Sequence, residues 1–388
     1  MNKICVLGVG DMVLECPDVE QYFAPAKEAL NSGDITYGQI ETAHTTRGHV
    51  CNSEIRIAPA APPENLDVLK ESGFDVLSFG GNHVFDYGYY GVMDTLQRLW
   101  DNGLLTCGAG KNIFEARKPA IITKGGLRFA FLQYNCIGPA LTWATPHKAG
   151  AAFIRVLTTY ESAMAEPGAM PHYCWTFVDP WSLECMKEDI RTYRDQGCVV
   201  IVALHIGRMY DKHLQPYEKV ITRSAIDVGA EMVLCHHAHE PRSIEIYEHK
   251  PIFHGLGNFL TLSGNTESMM PMEQMAYKPY DYQGVFPAGW QWAFDVGKEF
   301  ETGIERYPFS NLSRNTLIAK AMFDGTGLTE AGFIPCWIND IGAPEPVTRE
   351  GKGEDILNCF KDLNRTAELD DDIFEWNEDG TEVMLKLG

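Results

Sequence analysis

The stretch 73–88, Gly-Phe-Asp-Val-Leu-Ser-Phe-Gly-Gly-Asn-His-Val-Phe-Asp-Tyr-Gly, constrains this chain more than any other. An apolar run of strand length stops at Gly80-Gly81, and the polar side chains beyond it are Asn82, His83 and then Asp86. Ligand-type residues just past a buried strand belong at the carboxyl ends of parallel strands, where α/β proteins leave a crevice. Taken alone, the stretch also fits a surface turn after two glycines. The order recurs, however. Residues 4–9 deliver Asp11, 34–40 deliver Glu41, 198–204 deliver His205, and 231–235 deliver His237 and His239.

Between these runs lie helical patterns at 19–32, 65–72, 91–102, 182–196 and 217–228, with Gly103 and Gly229 as stop signals. A short strand at 104–107, a longer one at 127–134 and another at 251–254 complete an alternation that predicts βαβ units. From the residues alone the expected fold is α/β with one doubly wound, mainly parallel sheet, and the length of 388 residues allows two or three domains. Two stretches break the pattern. Residues 136–180 are proline-punctuated and read as a surface insertion and candidate lid. Residues 262–312 are rich in Met, Tyr and Trp, which suits a pocket wall or a subunit contact. The chain ends with strands at 316–323 and 329–337, a helix at 353–364 and an acidic turn at 368–372.

Composition excludes several functions. A formal charge of −21 argues against nucleic acid and anionic membrane as partners. The 11 cysteines contain no Cys-x-x-Cys pair, so neither a disulfide framework nor a zinc ribbon is implied. The amino-terminal apolar run is too short for a signal-peptide core, and no window approaches the roughly 20 apolar residues of a membrane span. The expectation is a soluble cytoplasmic protein with a small-molecule or peptide substrate, its oligomeric state open. Gly8-Val9-Gly10 lacks the third glycine of a dinucleotide loop, since position 13 is Val13. There is no Gly-x-Ser-x-Gly, and Cys235 lies in an apolar strand where a thiol is inert.

A lone histidine after a strand is usually structural. Together, though, these residues place three imidazoles, two carboxylates and an amide at one sheet edge, a donor mix that suits Zn, Mn or Fe. His237-x-His239 is expected to project both rings to one side, because side chains at i and i+2 of a strand share a face. A carboxylate-rich site is more often catalytic, with an open coordination position, than structural.

On these residues the chain resembles the CapA (poly-γ-glutamate capsule biosynthesis) family of the calcineurin-like metallophosphatase superfamily. The matching segments are Gly10-Asp11-Met12, Glu41-Thr42, the 73–88 stretch, Gly108-Ala109-Gly110, His205-Ile206-Gly207, 229–239 with its His236-His237-Ala238-His239, and 251–259. The resemblance implies a single domain over 1–388, a four-layer α-β-β-α sandwich with surface insertions in place of the single sheet. It implies one metal on Glu41, Asn82, His205 and His237 and another on Asp11, Glu41 and His239, with His83 as general acid and Asp86 orienting its ring. Four positions depart from the family pattern. Val13 stands where the superfamily carries a ligand His, which predicts a weak Asp11 site; Gln39 replaces Asn, Met209 replaces Glu, and His254 replaces Tyr. The capsule role belongs to membrane-anchored, outward-facing proteins, and no anchor is read here.

Three functions follow as expectations. The first is a soluble hydrolase of an amide or phosphoester bond, using one or two Mn, Fe or Zn ions. The second is a metal-independent peptide epimerase with Asp11 and either His254 or His83 exchanging a Cα proton. The third is a non-catalytic binding protein on the same fold.

Overall fold

The computed structural model describes residues 3–51, 60–162, 172–209, 211–263 and 302–388. Two facing mixed sheets form its centre, so the four-layer sandwich holds and the single doubly wound sheet does not. The strands of the first sheet are β1 (Ile4–Leu14), β2 (Ile35–Ile40), β3 (Val76–Ser78) and β4 (Leu105–Cys107). The second contains β5 (Ala120–Lys124), β6 (Leu127–Asn135), β7 (Cys198–Ile206), β8 (Ala230–His237), β9 (Ile244–Tyr247) and β10 (Lys250–Phe253). The chain then returns to the first sheet through β11 (Asn258–Leu262), β12 (Asn315–Asp324), β13 (Gly327–Ile338), β14 (Phe374–Trp376) and β15 (Val383–Leu385). Spatial order is β14-β15-β13-β12-β1-β2-β3-β4 in one sheet and β9-β10-β8-β7-β6-β5 in the other, with β11 beside β1. β1 to β4 and β6, β7, β8 and β10 run parallel, and antiparallel strands flank them.

The alternation of strand side chains sorts one apolar run into two cores. Along β7, Ile201 and Ala203 face the other sheet, while Val200, Val202 and Leu204 face outward. Tyr37 of β2 stacks on Phe131 of β6 across the sandwich, with ring centroids 5.7 Å apart. Helix α1 (Gly88–Asp101) covers the outer face of the first sheet through Leu96 and Leu99. Helices α2 (Pro180–Asp195) and α3 (Pro216–Asp227) cover the second through Met186, Ile190, Ile221 and Ala225.

Local chemistry explains where the expected elements shift. The 19–32 helix is divided into Glu20–Phe23, a tight turn at Ala24–Ala26 and Lys27–Leu30, because Pro25 cannot continue the hydrogen-bond ladder. β5 was not foreseen; Gly125 and Gly126, with φ of +56° and +86°, make the two-residue hairpin turn that joins it to β6. Within 136–180, strands Val156–Ser162 and His172–Val178 pair with each other as a two-stranded ribbon. The Met-rich part of 262–312 falls in 264–301, outside the described residues.

Helix α4 (Glu354–Thr366) is tied to β9 by one side chain. Buried Asn364 accepts from the Ile244 N–H at 2.9 Å and donates to the carbonyls of Ile244, at 2.8 Å, and Asp370, at 2.7 Å. Truncation would leave buried backbone groups without partners, so Asn364→Ala is expected to lower stability by about 1–3 kcal/mol in urea titration.

Candidate metal centre

Asp11 is aimed by an irregularity within a strand and does not sit at a strand end. Gly8 pairs with Tyr37 but Asp11 pairs with Gln39, so β1 carries one extra residue, a bulge that re-aims the carboxylate. There β1 also changes neighbour, from antiparallel β12 up to Gly8 to parallel β11 from Asp11 onward. The crossing is tight: a Cβ on Gly10 would lie 2.0 Å from the Gly257 carbonyl oxygen. Glu41 follows β2 directly, and Asn82 and His83 lie in the loop after β3. The second sheet supplies His205 near the end of β7 and His237 at the end of β8, with His239 beyond it. The donors therefore converge from two sheets and do not line one edge.

Six of the predicted residues meet. Glu41, His205 and His237 form one group and Asp11, Glu41 and His239 another, each with ligand atoms within 4.8 Å of one another. Asn82 joins the first through its Oδ1, 2.7 Å from His205 Nε2. The His237 and His239 rings lie 6.1 Å apart, but not by strand pleating. Their φ values of +88° and +57° place both in the left-handed region that non-glycine residues avoid, a local strain that clusters at functional sites.

The pocket fits a cation. Among the described residues, Asp11 Oδ1, both carboxylate oxygens of Glu41 and His237 Nδ1 are buried without an aligned hydrogen-bond partner. Buried carboxylates demand compensating positive charge. His239 supplies part of it: its Nε2 lies 3.1 Å from Glu41 Oε1, an ion pair off hydrogen-bond alignment. Its Nδ1 faces Asn258 Oδ1 at 2.8 Å, and Asp11 Oδ2 accepts from the His237 N–H at 2.9 Å.

Burial, reinforced by the Glu41 charge, pushes the Asp11 carboxyl upward. Burial would raise Glu41 too, but the adjacent His239 outweighs it and holds Glu41 low. His239 is pulled the opposite way: burial lowers it, yet Glu41 and Asp11 bring it up to about 9. Burial and the charge of His239 take His237 down to about 3, and burial with His237 holds His205 well below the usual range. His205 and His237 are thus neutral at pH 7, while His239 and Asp11, the latter pushed up to about 8, each carry a proton they must lose to ligate a metal. Divalent-ion binding to the Asp11–Glu41–His239 group at pH 7 is expected to release between about one and about two protons, read by calorimetry in buffers of different ionisation enthalpy. Affinity should rise from pH 6 to 9 and flatten above it; a pH-independent affinity would contradict this charge assignment.

His83 lies at the wet edge, its side chain 16% exposed against 1% for Asp86. Its Nδ1 is 2.6 Å from Asp86 Oδ2. Burial alone would lower His83, but the Asp86 bond and charge, with Glu41, raise it.

His254 is not in either group. Its Nε2 bonds to Glu245 Oε2 at 2.9 Å, and Arg223 pairs with the same carboxylate. The polar partners of Asp11 are His237 and His239, while His254 is held by Glu245; His83, the other candidate partner of Asp11 in an epimerase, lies close enough to act on its charge. His236 bonds the Val9 carbonyl through Nε2 at 3.1 Å, a structural role. Val13 pairs with Thr261 on β11 and offers no ligand. Sequence reasoning gave no site role to four residues around the donors: Gln39 and Asn258, which it met only in the family pattern, and Gln133 and Phe309, the ring centroid of the latter 4.5 Å from that of His239. Gln133 left a signal, a lone polar residue inside the buried run Phe131-Leu132-Gln133-Tyr134.

Two facing mixed sheets layered between helices, with carboxylates from one and imidazoles from the other, define a four-layer α-β-β-α sandwich that holds a cluster of metal-ligand-type side chains between its sheets. Within that class the chain belongs to the family described as bacterial capsule synthesis protein PGA_cap, whose model matches residues 6–263. It is 26% identical over 259 residues to the PGA biosynthesis protein CapA of Bacillus subtilis (strain 168), covering 66% of this chain and 61% of that protein. It is 27% identical over 209 residues to the capsule biosynthesis protein CapA of Bacillus anthracis, covering 54% and 45%. A probable polyglutamine synthesis accessory protein of Mycobacterium tuberculosis is 26% identical over 228 residues, covering 58% of this chain and 55% of its own length. The match thus spans about half to three fifths of these relatives. Among solved structures, a putative 5'-nucleotidase from Staphylococcus aureus superposes with a TM-score of 0.45 at 10% identity, over 93% of this chain and 58% of that one. Among the described residues, no helix is long and apolar enough to cross a membrane.

Proposed function

We propose that the chain is a divalent-metal-dependent hydrolase of an amide or phosphoester bond in a small or peptide-like substrate. The observation that carries this reading is Glu41: it belongs to both donor groups, and among the described residues its buried oxygens meet no polar partner beyond the His239 imidazole, 3.1 Å from Oε1. Asp11 and His239 would hold one ion with it, and Asn82, His205 and His237 the other. An ion bound there supplies Lewis-acid polarisation and an acidified water. The remaining work belongs to the chain. His83, oriented by Asp86, donates a proton to the departing atom, and Phe309 shields the His239 side of the pocket from water. The names of the relatives, capsule biosynthesis and polyglutamine synthesis, favour an amide in a peptide-like polymer over a phosphoester.

The test uses protein stripped by chelator and reloaded with Mn2+ or Zn2+, assayed on chromogenic phosphodiesters and glutamyl anilides. Turnover that appears with metal and vanishes with chelator is expected on one of the two. Metal-independent turnover, unchanged in the His205→Ala and His237→Ala proteins, would remove the mechanism.

A further inference from the structure

His205 is held at both ring nitrogens by neutral amides, and the direction of those hydrogen bonds is set outside the site. The Gly80 backbone N–H can only donate, so the Gln133 carboxamide must turn its oxygen toward it, at 2.7 Å. Its NH2 group then faces Gln39, whose nearer terminal atom, 3.3 Å away, is accordingly the oxygen. The Gln39 NH2 points at His205 Nδ1 from 2.5 Å and donates to it. A ring nitrogen that accepts carries no proton, so the His205 proton sits on Nε2 and is donated to Asn82 Oδ1 at 2.7 Å. The backbone makes room for this arrangement. A Cβ on Gly80 or Gly108 would lie 2.6 or 1.9 Å from Gln133 Oε1, and one on Gly81 would lie 3.3 Å from Gln39 Nε2.

His239 is wired the opposite way. The His239 backbone carbonyl can only accept, and it takes the Asn258 NH2 at 3.2 Å, which turns Asn258 Oδ1 toward His239 Nδ1 at 2.8 Å. An acceptor there keeps one proton on Nδ1, so the proton that His239 gives up to an arriving cation is the one on Nε2, facing Glu41, and no tautomer change is needed.

We propose that Gln133 and Gln39 form an amide relay, anchored on the Gly80 N–H, that fixes the His205 proton on Nε2 and makes the Glu41–His205–His237 group the weaker of the two for a divalent ion. The ranking of the groups rests on the metal-dependent reading above; the relay does not. To ligate through Nε2, His205 must move that proton to Nδ1 or lose it to solvent, and an Nδ1–H would meet the Gln39 NH2 donor head on. Gln39 and Gln133 are positioning residues, acting through the tautomer of His205.

The experiment is long-range 1H–15N NMR on metal-free protein labelled with 15N-histidine, the His205 signals assigned by their loss in His205→Gln. The wild-type protein is expected to show Nε2–H, and Gln39→Glu, whose carboxylate accepts from Nδ1–H, is expected to switch it. Calorimetric Mn2+ titration is then expected to give two classes of site, the weaker tightened at least about tenfold by Gln39→Glu. Gln133→Met, which frees Gln39 to rotate, is the second variant and should shift both readouts the same way; melting temperature reports whether each variant folds. An Nδ1–H His205 in the wild-type protein overturns the relay. Equal classes of site, or a weaker class untouched by both variants, overturn the ranking. If neither wild type nor variants bind Mn2+ while Nε2–H is present, the metal-dependent reading and the ranking fall together and the relay stands.

Discussion

Glu41→Ala is expected to remove both divalent ions at once, lowering affinity at each group by at least about a hundredfold. Metal-dependent turnover should fall by at least about a thousandfold, since metal ions supply several kcal/mol of transition-state stabilisation. The reason is topological. Glu41 leaves the end of β2 at the centre of the converging donors, and it alone is common to the Asp11–His239 and His205–His237 groups. His237→Ala is the informative control, because it leaves Asp11, Glu41 and His239 together and should remove one ion only. Elemental analysis at saturating Mn2+ reads the difference: two ions in the wild-type protein, one in His237→Ala, none in Glu41→Ala. A Glu41→Ala protein that keeps two ions would sink the shared-ligand assignment. Far-ultraviolet circular dichroism separates ligand loss from unfolding, and Glu41→Gln, which preserves volume, should behave as Glu41→Ala does.

Much of this centre was legible because buried strands announce themselves as apolar runs, and the polar residue that ends such a run needs a reason to be there. That logic found Glu41, Asn82, His205, His237 and His239 from their place in the chain. It misjudged Asp11, which lies inside an 11-residue strand; the bulge that turns its carboxylate into the pocket depends on β1 changing neighbours near Gly10, a tertiary event with no local signature. It expected a pleat to align His237 and His239, where the backbone instead leaves the extended region at both. It weighed His254 for chemistry because a histidine stands there, and only the fold shows Glu245 and Arg223 waiting for it. The amides were least legible. Gln39 read as a conservative replacement, yet its partner Gln133 lies 94 residues away on the other sheet, and the direction of their hydrogen bond follows from a glycine N–H. The missing nitrogen ligand at Val13 predicted that the Asp11 group would be the weaker one. The amide relay proposed above would give the reverse order, because the hydrogen bond behind a ligand decides whether its lone pair faces the ion.

His83→Ala is expected to lower turnover by about a hundredfold to ten-thousandfold with metal content unchanged, the range for loss of a positioned proton donor. The pH profile carries the sharper information. A donor works in its protonated form, so turnover should fall as pH rises through the pKa of His83 and hold below it. Burial lowers that pKa, but Asp86, through its bond and its charge, together with Glu41, raises it above the ordinary histidine value of 6.5. The alkaline limb of the wild-type protein should therefore lie above pH 6.5. Asp86→Asn keeps the shape of the partner while removing its charge, leaving burial to dominate, so the limb should move to lower pH while the plateau on its acid side changes little. At pH 8 the same substitution should look far more damaging than at pH 6. His83→Ala should lose the limb altogether, which distinguishes a donor from a residue that merely packs at the rim. An Asp86→Asn profile that superposes on the wild type would mean that Asp86 does not set the protonation of His83, and a His83→Ala profile that keeps the wild-type limb would assign that limb to another group.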